Sequence, residues 1–339
     1  MKHYAGLDVS LEQSSVCVVA RDGKIVREAK VASEPGELVS WFGELGLDVE
    51  RIGLEAGPLS QWLYAALKQA GYAVELIETR HVHAAFKTMP VKTDRKDARG
   101  IAQLVRLGWL RPVHCKTLSA QEVRAQLTAR KCVQQKLHDV EICLRGVLRG
   151  FGLKVGKVKK SEFETRIRAL VAGQATLEGI AEALLSVRAV LAREFGGFER
   201  RVYRMARDDA RVRLLTTAPG VASIVALTYV SAIDEPSRFK SSKMVGPHFG
   251  LTPKRYQSGE TDFSGRISKC GDKQVRTALF EAANTILTKP VKAGALKSWA
   301  MKLAKRAGMK KAKVALARKL AVILHRMWID GTPFRAQQA

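Results

Sequence analysis

The chain has 339 residues, room for two or three domains with a sizeable core. Its 58 lysines and arginines stand against 32 aspartates and glutamates, a formal net charge of +26. A field of that sign favours polyanions, and with no basic amphipathic tail beside an anchor it argues for nucleic acid over a membrane surface.

Residues 1 to about 115 alternate strands and helices. Tyr4 to Val9 reads as an apolar strand, Ser15 to Ala20 as a second, and Asp22-Gly23 as a hairpin turn into a third at Ile25 to Val31. The N-terminus runs straight into this pattern, unlike a signal peptide. A helix is expected near Gly36 to Leu45, a strand at Arg51 to Glu55, a helix around Leu59 to Ala70, a strand at Ala73 to Ile77, then a loop and a helix from Asp94. The order is βββαβαβα.

Residues 116 to about 210 read as helical. Val133, Leu137, Val140, Leu144, Val147 and Phe151 form a heptad seam, which Leu177, Ile180, Leu184, Val187 and Leu191 repeat beyond a basic link from Gly152 to Lys160. The seams suit either a hairpin within one chain or a contact in a homo-oligomer, a dimer or tetramer. Residues 211–339 form a third, mainly α unit. The uncharged stretch Leu214 to Ile233 carries Pro219-Gly220 and reads as two short elements around a turn rather than a membrane span. Thr252 to Gly271 reads as a loop, followed by helices. No acidic residue lies between Glu281 and Asp330, while Lys302, Lys305, Arg306, Lys310, Lys311 and Arg318 crowd that interval, as on a phosphate-facing surface. Five cysteines without a Cys-x-x-Cys pair suit reduced thiols in a cytoplasm.

Two constellations carry chemistry. The first is acidic: Asp8 ends the first strand, Glu55 ends the fourth, and Asp94 and Asp97 stand three apart at the start of a helix, among Lys92, Arg95 and Lys96. If the first and fourth strands are neighbours, Asp8 and Glu55 lie side by side and the helix can bring both aspartates to them. Four carboxylates together call for cations, and two divalent ions, Mg²⁺ in the first place, would clamp the attacking and leaving oxygens of a phosphodiester. The plainer alternative is local: Thr93 or Asp94 caps the helix and Asp97 completes a capping box. The second constellation runs from Gly250-Leu251-Thr252-Pro253-Lys254-Arg255 through Gln257-Ser258-Gly259 to Gly265-Arg266-Ile267-Ser268-Lys269, with Lys273 and Arg276 close behind. A serine among cations and glycines can attack phosphorus, or can simply be a turn serine in a phosphate-binding loop.

The strand order with acids at these places resembles the RNase H-like fold, in its RuvC-like branch. Together with Pro219-Gly220-Val221, Pro236-Ser237-Arg238-Phe239 and the two glycine-bounded motifs, nearly the whole chain resembles transposases of the IS110 insertion-sequence family, relatives of Piv-type DNA invertases. That resemblance implies a RuvC-like domain over 1–115, a helical coiled-coil segment over 116–210 and a serine-bearing transposase domain over 211–339. It implies a metal-binding tetrad at Asp8, Glu55, Asp94 and Asp97, and a nucleophile at Ser258. The family's Ser-Ser-Gly triplet is Gln257-Ser258-Gly259 here, so Ser264 is the second candidate. DNA, both donor and target, is the implied partner, along with an element-encoded guide RNA. The competing enzymatic expectation is a RuvC-like endonuclease that hydrolyses DNA with water.

Overall fold

The computed structural model describes residues 1–87 and 93–335, in two compact units, Met1–Lys116 and Thr117–Ala339. The first is built on a five-stranded sheet of β1 (His3–Val9), β2 (Gln13–Ala20), β3 (Ile25–Ala32), β4 (Val49–Glu55) and β5 (Val74–Ile77), in the order β3-β2-β1-β4-β5. The first three strands pair antiparallel, and β4 and β5 join parallel to β1. That is the mixed sheet of the RNase H-like fold. Parallel neighbours need crossovers, supplied by α1 (Pro35–Glu44) and α2 (Ser60–Gln69). Leu38, Phe42, Leu63 and Leu67 from these helices bury one face of the sheet.

The other face is covered by α4 (Asp94–Leu107), which follows α3 (Thr79–Phe86), a short helix where a loop was expected. The contact between α4 and the sheet is close. A Cβ on Gly6 would stand 2.3 Å from the backbone of Ala98 and Ala102, so only glycine fits there. Gly53, paired with Gly6 across β1 and β4, lies under Ile101 and Val105 in the same way. The helix has a defined direction. Near its C-terminus, Gln103 donates to the Gly23 carbonyl and Arg106 to that of Arg21, at the β2–β3 turn beside the start of β1. Its N-terminus therefore lies over the far end of β1, where Asp8 is.

The second unit carries two long helices, α5 (Leu118–Gly150) and α7 (Ala175–Asp208), joined through α6 (Phe163–Val171), a helix the sequence pattern did not reveal. They pack on each other within the chain around Leu144, Leu148, Phe163, Ile167, Leu177 and Leu185. On α7 the buried line is Leu177, Ala181, Leu185 and Arg188, so the expected seam is rotated, and Ile180 and Val187 are exposed. Arg188 occupies the seam with its charge satisfied: it donates to Glu141 and Glu164 at 2.9 Å each and lies over the Phe163 ring.

The other ends of the long helices merge with the C-terminal residues: Leu127, Val202 and Ala206 share a core with Tyr229, Phe249, Leu279 and Leu320. This core is formed by α8 (Ala210–Leu215), α9 (Ser223–Ile233), α10 (Val245–His248), α11 (Lys273–Thr288), α12 (Gly294–Ala307) and α13 (Met309–Asp330). The uncharged stretch is indeed two helices around a turn. Among the described residues no helix is long and apolar enough to cross a membrane. The segment expected as a loop contains a β-hairpin, β6 (Pro253–Ser258) and β7 (Thr261–Ile267). No disulfide joins any of the five cysteines.

Candidate functional site

The acidic residues are placed by the register of the sheet. β1 and β4 run parallel, with Gly6 opposite Gly53 and Leu7 opposite Leu54, so Asp8 and Glu55 occupy the next positions on adjacent strands. Side chains alternate along a strand. Asp8 lies two residues beyond Gly6 and Glu55 two beyond Gly53, so both project to the face that α4 covers. The first turns of α4 close this end of the sheet.

At that helix start the capping alternative is resolved. Thr93 is the cap: its Oγ1 accepts from the Lys96 N–H at 3.3 Å. The third helical position is then Lys96, so Asp97 is one residue too late for a capping box. The cap is therefore not made by Asp94. Asp97 is buried against the sheet face, whereas Asp94, in the first helical position, is exposed. Asp8 and Glu55 are half-buried. Among the described residues no three His, Cys, Asp or Glu side chains are gathered into a metal cage. Positions i and i+3 on a helix differ by about 60° in direction, enough to bury Asp97 and leave Asp94 in solvent.

The helix start is tied down from its other side. Glu28 on β3 accepts from Arg99 Nε at 2.5 Å and Nη2 at 2.8 Å, and from Arg95 Nε at 2.9 Å. These two guanidinium groups, Arg99 foremost, hold the Glu28 carboxyl at about 2, well below the usual range. Arg95, expected to face nucleic acid, is thus engaged within the protein. Lys96 is exposed, and Lys92 lies outside the described residues.

In the second unit the serine motif is a ribbon on a fixed base. Gly250 has φ of +66°, and a Cβ there would meet the Cys270 backbone at 2.2 Å. Ser268 N–H donates to Thr252 O at 2.8 Å, and Lys269 N–H to Gly250 O at 3.1 Å. Arg276 donates from Nη1 to the carbonyls of Phe249, Cys270 and Gly271, at 2.9 to 3.2 Å. Arg276, expected to contact nucleic acid, therefore locks the hairpin base. From that base the strands extend into solvent. Ser258 closes β6, opposite Thr261, beside a turn at Gly259-Glu260. Arg255 is held by Asp262 through bonds of 2.9 and 2.6 Å, so its charge is compensated. Lys254, Arg266, Lys269 and Lys273 are exposed. Ser264, opposite Arg255, lines a groove of about 1110 Å³ walled by Trp299 and Val314 and rimmed by Lys310, Lys311 and Arg318.

Pro236-Ser237-Arg238-Phe239 is structural. Arg238 donates to the Ile233 carbonyl at the end of α9 and lies over the Phe239 ring. The Pro219-Gly220 turn seats against α11, where a Cβ on Gly220 would meet the Ala282 carbonyl at 2.6 Å.

An RNase H-like domain with an acidic edge, followed by a basic helical unit bearing an exposed serine hairpin, defines a class of DNA-processing enzyme. Two family models match it: a DEDD-type IS110 transposase model over residues 5–152, and the IS116/IS110/IS902 transposase model over residues 212–296. The chain belongs to the IS110 family of transposases. It is 27% identical, over 94% of its length and 87% of the relative's, to the transposase for insertion sequence element IS1111A of Coxiella burnetii. It is 30% identical to the transposase for IS1328 of Yersinia enterocolitica over 137 residues, 40% of this chain and 41% of that one. Among solved structures, RuvC of T. thermophilus with a Holliday junction substrate matches 33% of this chain and 100% of its own, at 16% identity and a TM-score of 0.26.

Proposed function

We propose that this transposase cuts and exchanges DNA strands with Ser258 as the nucleophile and Asp8, Glu55, Asp94 and Asp97 as a metal-binding edge. The observation that supports the acidic half best is the start of α4. Thr93 does the capping, Arg95 and Arg99 fix the helix to Glu28, and Asp97 is buried over the ends of the strands that carry Asp8 and Glu55.

Carboxylate oxygens are hard donors and suit Mg²⁺, which completes its shell with water and phosphate oxygens, so an edge of carboxylates rather than a closed cage fits it. Bound there, a divalent ion would polarise the scissile phosphate and offset charge on the leaving oxygen. The chain's own residues do the rest. Ser258 Oγ loses its proton and bonds to phosphorus, the bond to one ester oxygen breaks, and that oxygen takes up a proton as a strand-end hydroxyl. A second strand's hydroxyl then reverses the exchange and releases the serine. Lys254, Arg266 and Lys269 offset charge on the phosphate, which matters because Arg255 is engaged by Asp262. The acid-free run of α12 and α13 offers phosphate contacts for donor and target DNA and for an element-encoded guide RNA.

Suicide substrates that release the cut strand should leave a covalent protein–DNA adduct mapping to Ser258 and absent in Ser258→Ala, with DNA binding retained. An adduct on Ser264 would move the nucleophile. Metal-dependent nicking without any adduct would replace this reading by hydrolysis. Asp97→Asn should lower cleavage roughly 10³-fold, about 4 kcal/mol of transition-state stabilisation, and leave the serine free of adduct.

A further inference from the structure

Tyr256 and Phe263 face each other across the hairpin, ring centroids 4.9 Å apart and planes 20° from parallel. Both are about half exposed, 48% and 55%, and every residue of β6 is exposed. A cross-strand aromatic pair steadies a ribbon, but here no third element among the described residues covers the rings. Two features give the pair a direction. Side chains alternate along a strand, so Tyr256 and Ser258 share one face of the ribbon, as do their partners Phe263 and Thr261. Gly265 has no side chain beside Tyr256; a Cβ there would stand 3.2 Å from the ring, so the ring lies down along the ribbon. The aromatic surface thus begins about 7 Å from the serine position, roughly the reach of one nucleotide. Cations Lys254, Arg266 and Lys269 stand at the base of the same ribbon.

We infer that Tyr256 and Phe263 form a stacking platform for an unpaired nucleobase next to the phosphate that Ser258 faces. Nucleobases stack on exposed aromatic rings with little regard to sequence, and cations alongside hold the backbone. The platform fixes the sugar–phosphate beside the serine and requires the adjoining base to leave its duplex. This rests on the serine reading for its purpose, but not for its test.

The experiment compares two single-stranded 20-mers of equal charge, oligothymidylate and an abasic deoxyribose-phosphate chain, on the full-length protein. The double variant Tyr256→Val, Phe263→Val keeps strand-forming apolar side chains and removes both π faces. It should bind the thymidylate strand about tenfold or more weakly and the abasic strand as well as the parent protein does. Tyr256→Trp should retain or strengthen thymidylate binding. In the parent protein, 2-aminopurine placed along the strand should be quenched on binding, and the double variant should lose that quenching. Equal weakening for both strands, meaning the rings only hold the hairpin or face another protein surface, overturns the proposal; so does an unchanged thymidylate affinity. Binding is read here without any cleavage, so a missing adduct in the parent protein would refute the nucleophile without touching the platform.

Discussion

Glu28 fastens the first turns of α4 to the sheet, and its replacement by glutamine isolates what that fastening is worth. The side chain is 13% exposed and receives both Arg95 and Arg99. A carboxyl that titrates at about 2 instead of 4.5 corresponds to a ceiling of about 3.4 kcal/mol of preference for the ionised form. Arg95 is 67% exposed and Arg99 36%, so water screens both, and about 1–2 kcal/mol is the expected loss in Glu28→Gln at pH 7. Hydrogen exchange of peptides spanning residues 94–107 reads this locally: about 5- to 30-fold faster exchange in the variant, with the α11 peptides unchanged. The folded carboxyl is depressed below its unfolded value, so its contribution is complete above pH 4.5. It is lost as the pH falls toward 2, so the gap between parent and variant must narrow across that window. A gap that stays constant as the solution is acidified, or equal protection of α4 at pH 7, would refute the argument.

Other expectations follow from residues already placed. Arg188→Ala takes the buried guanidinium from Glu141 and Glu164 in the helical hairpin; because Glu164 keeps Arg168 at 3.7 Å and both carboxylates keep some solvent contact, the cost should sit near the low end of the 3–5 kcal/mol for a broken buried pair, about 3 kcal/mol by urea unfolding. His325 is held below its ordinary 6.5 by burial; Nε2 faces the Pro236 carbonyl and so carries the proton, while Nδ1 accepts from Ser242. The unfolded chain takes up a proton there more readily, so this stability is complete above about pH 6.5 and falls as the pH drops below it. His325→Gln should flatten the fall in thermal midpoint between pH 7.5 and 5. Val187→Asp with Val190→Asp should leave the monomer folded, both side chains being 47% exposed; light scattering that shows self-association lost in this variant would place the contact between copies on that stripe of α7, and unchanged association would exclude it.

The central strands of the first unit were legible because their apolar patterning is the imprint of a sheet buried on both faces, while the largely exposed β3 was marked by the Asp22-Gly23 turn before it. The neighbourhood of Asp8 and Glu55 was expected on the condition that the first and fourth strands are neighbours, and the sheet order meets it. What escaped the sequence was structure without a core-facing signature. α3 buries only Val82, so no periodicity marks it. The β6–β7 hairpin is solvated on both faces, so its residues alternate nothing against a core. The rotated seam on α7 was hidden because a buried arginine took a position that pattern reading reserves for apolar side chains. The engagement of Arg255, Arg95 and Arg276 depends on partners 7, 67 and 5 to 27 residues away. In sequence all three read simply as positive charge.

The hairpin's isolation has a cost and a safeguard. Strands β6 and β7 each have one neighbour, so each presents an outer row of backbone donors and acceptors. Such rows can recruit a strand from another molecule and lead to sticking between copies. Charged side chains at Lys254, Arg255, Glu260, Asp262 and Arg266 are spread along the ribbon, and bringing a second ribbon alongside would crowd like charges and strip their water. The charges along the ribbon therefore disfavour assembly of the protein through its own open edges.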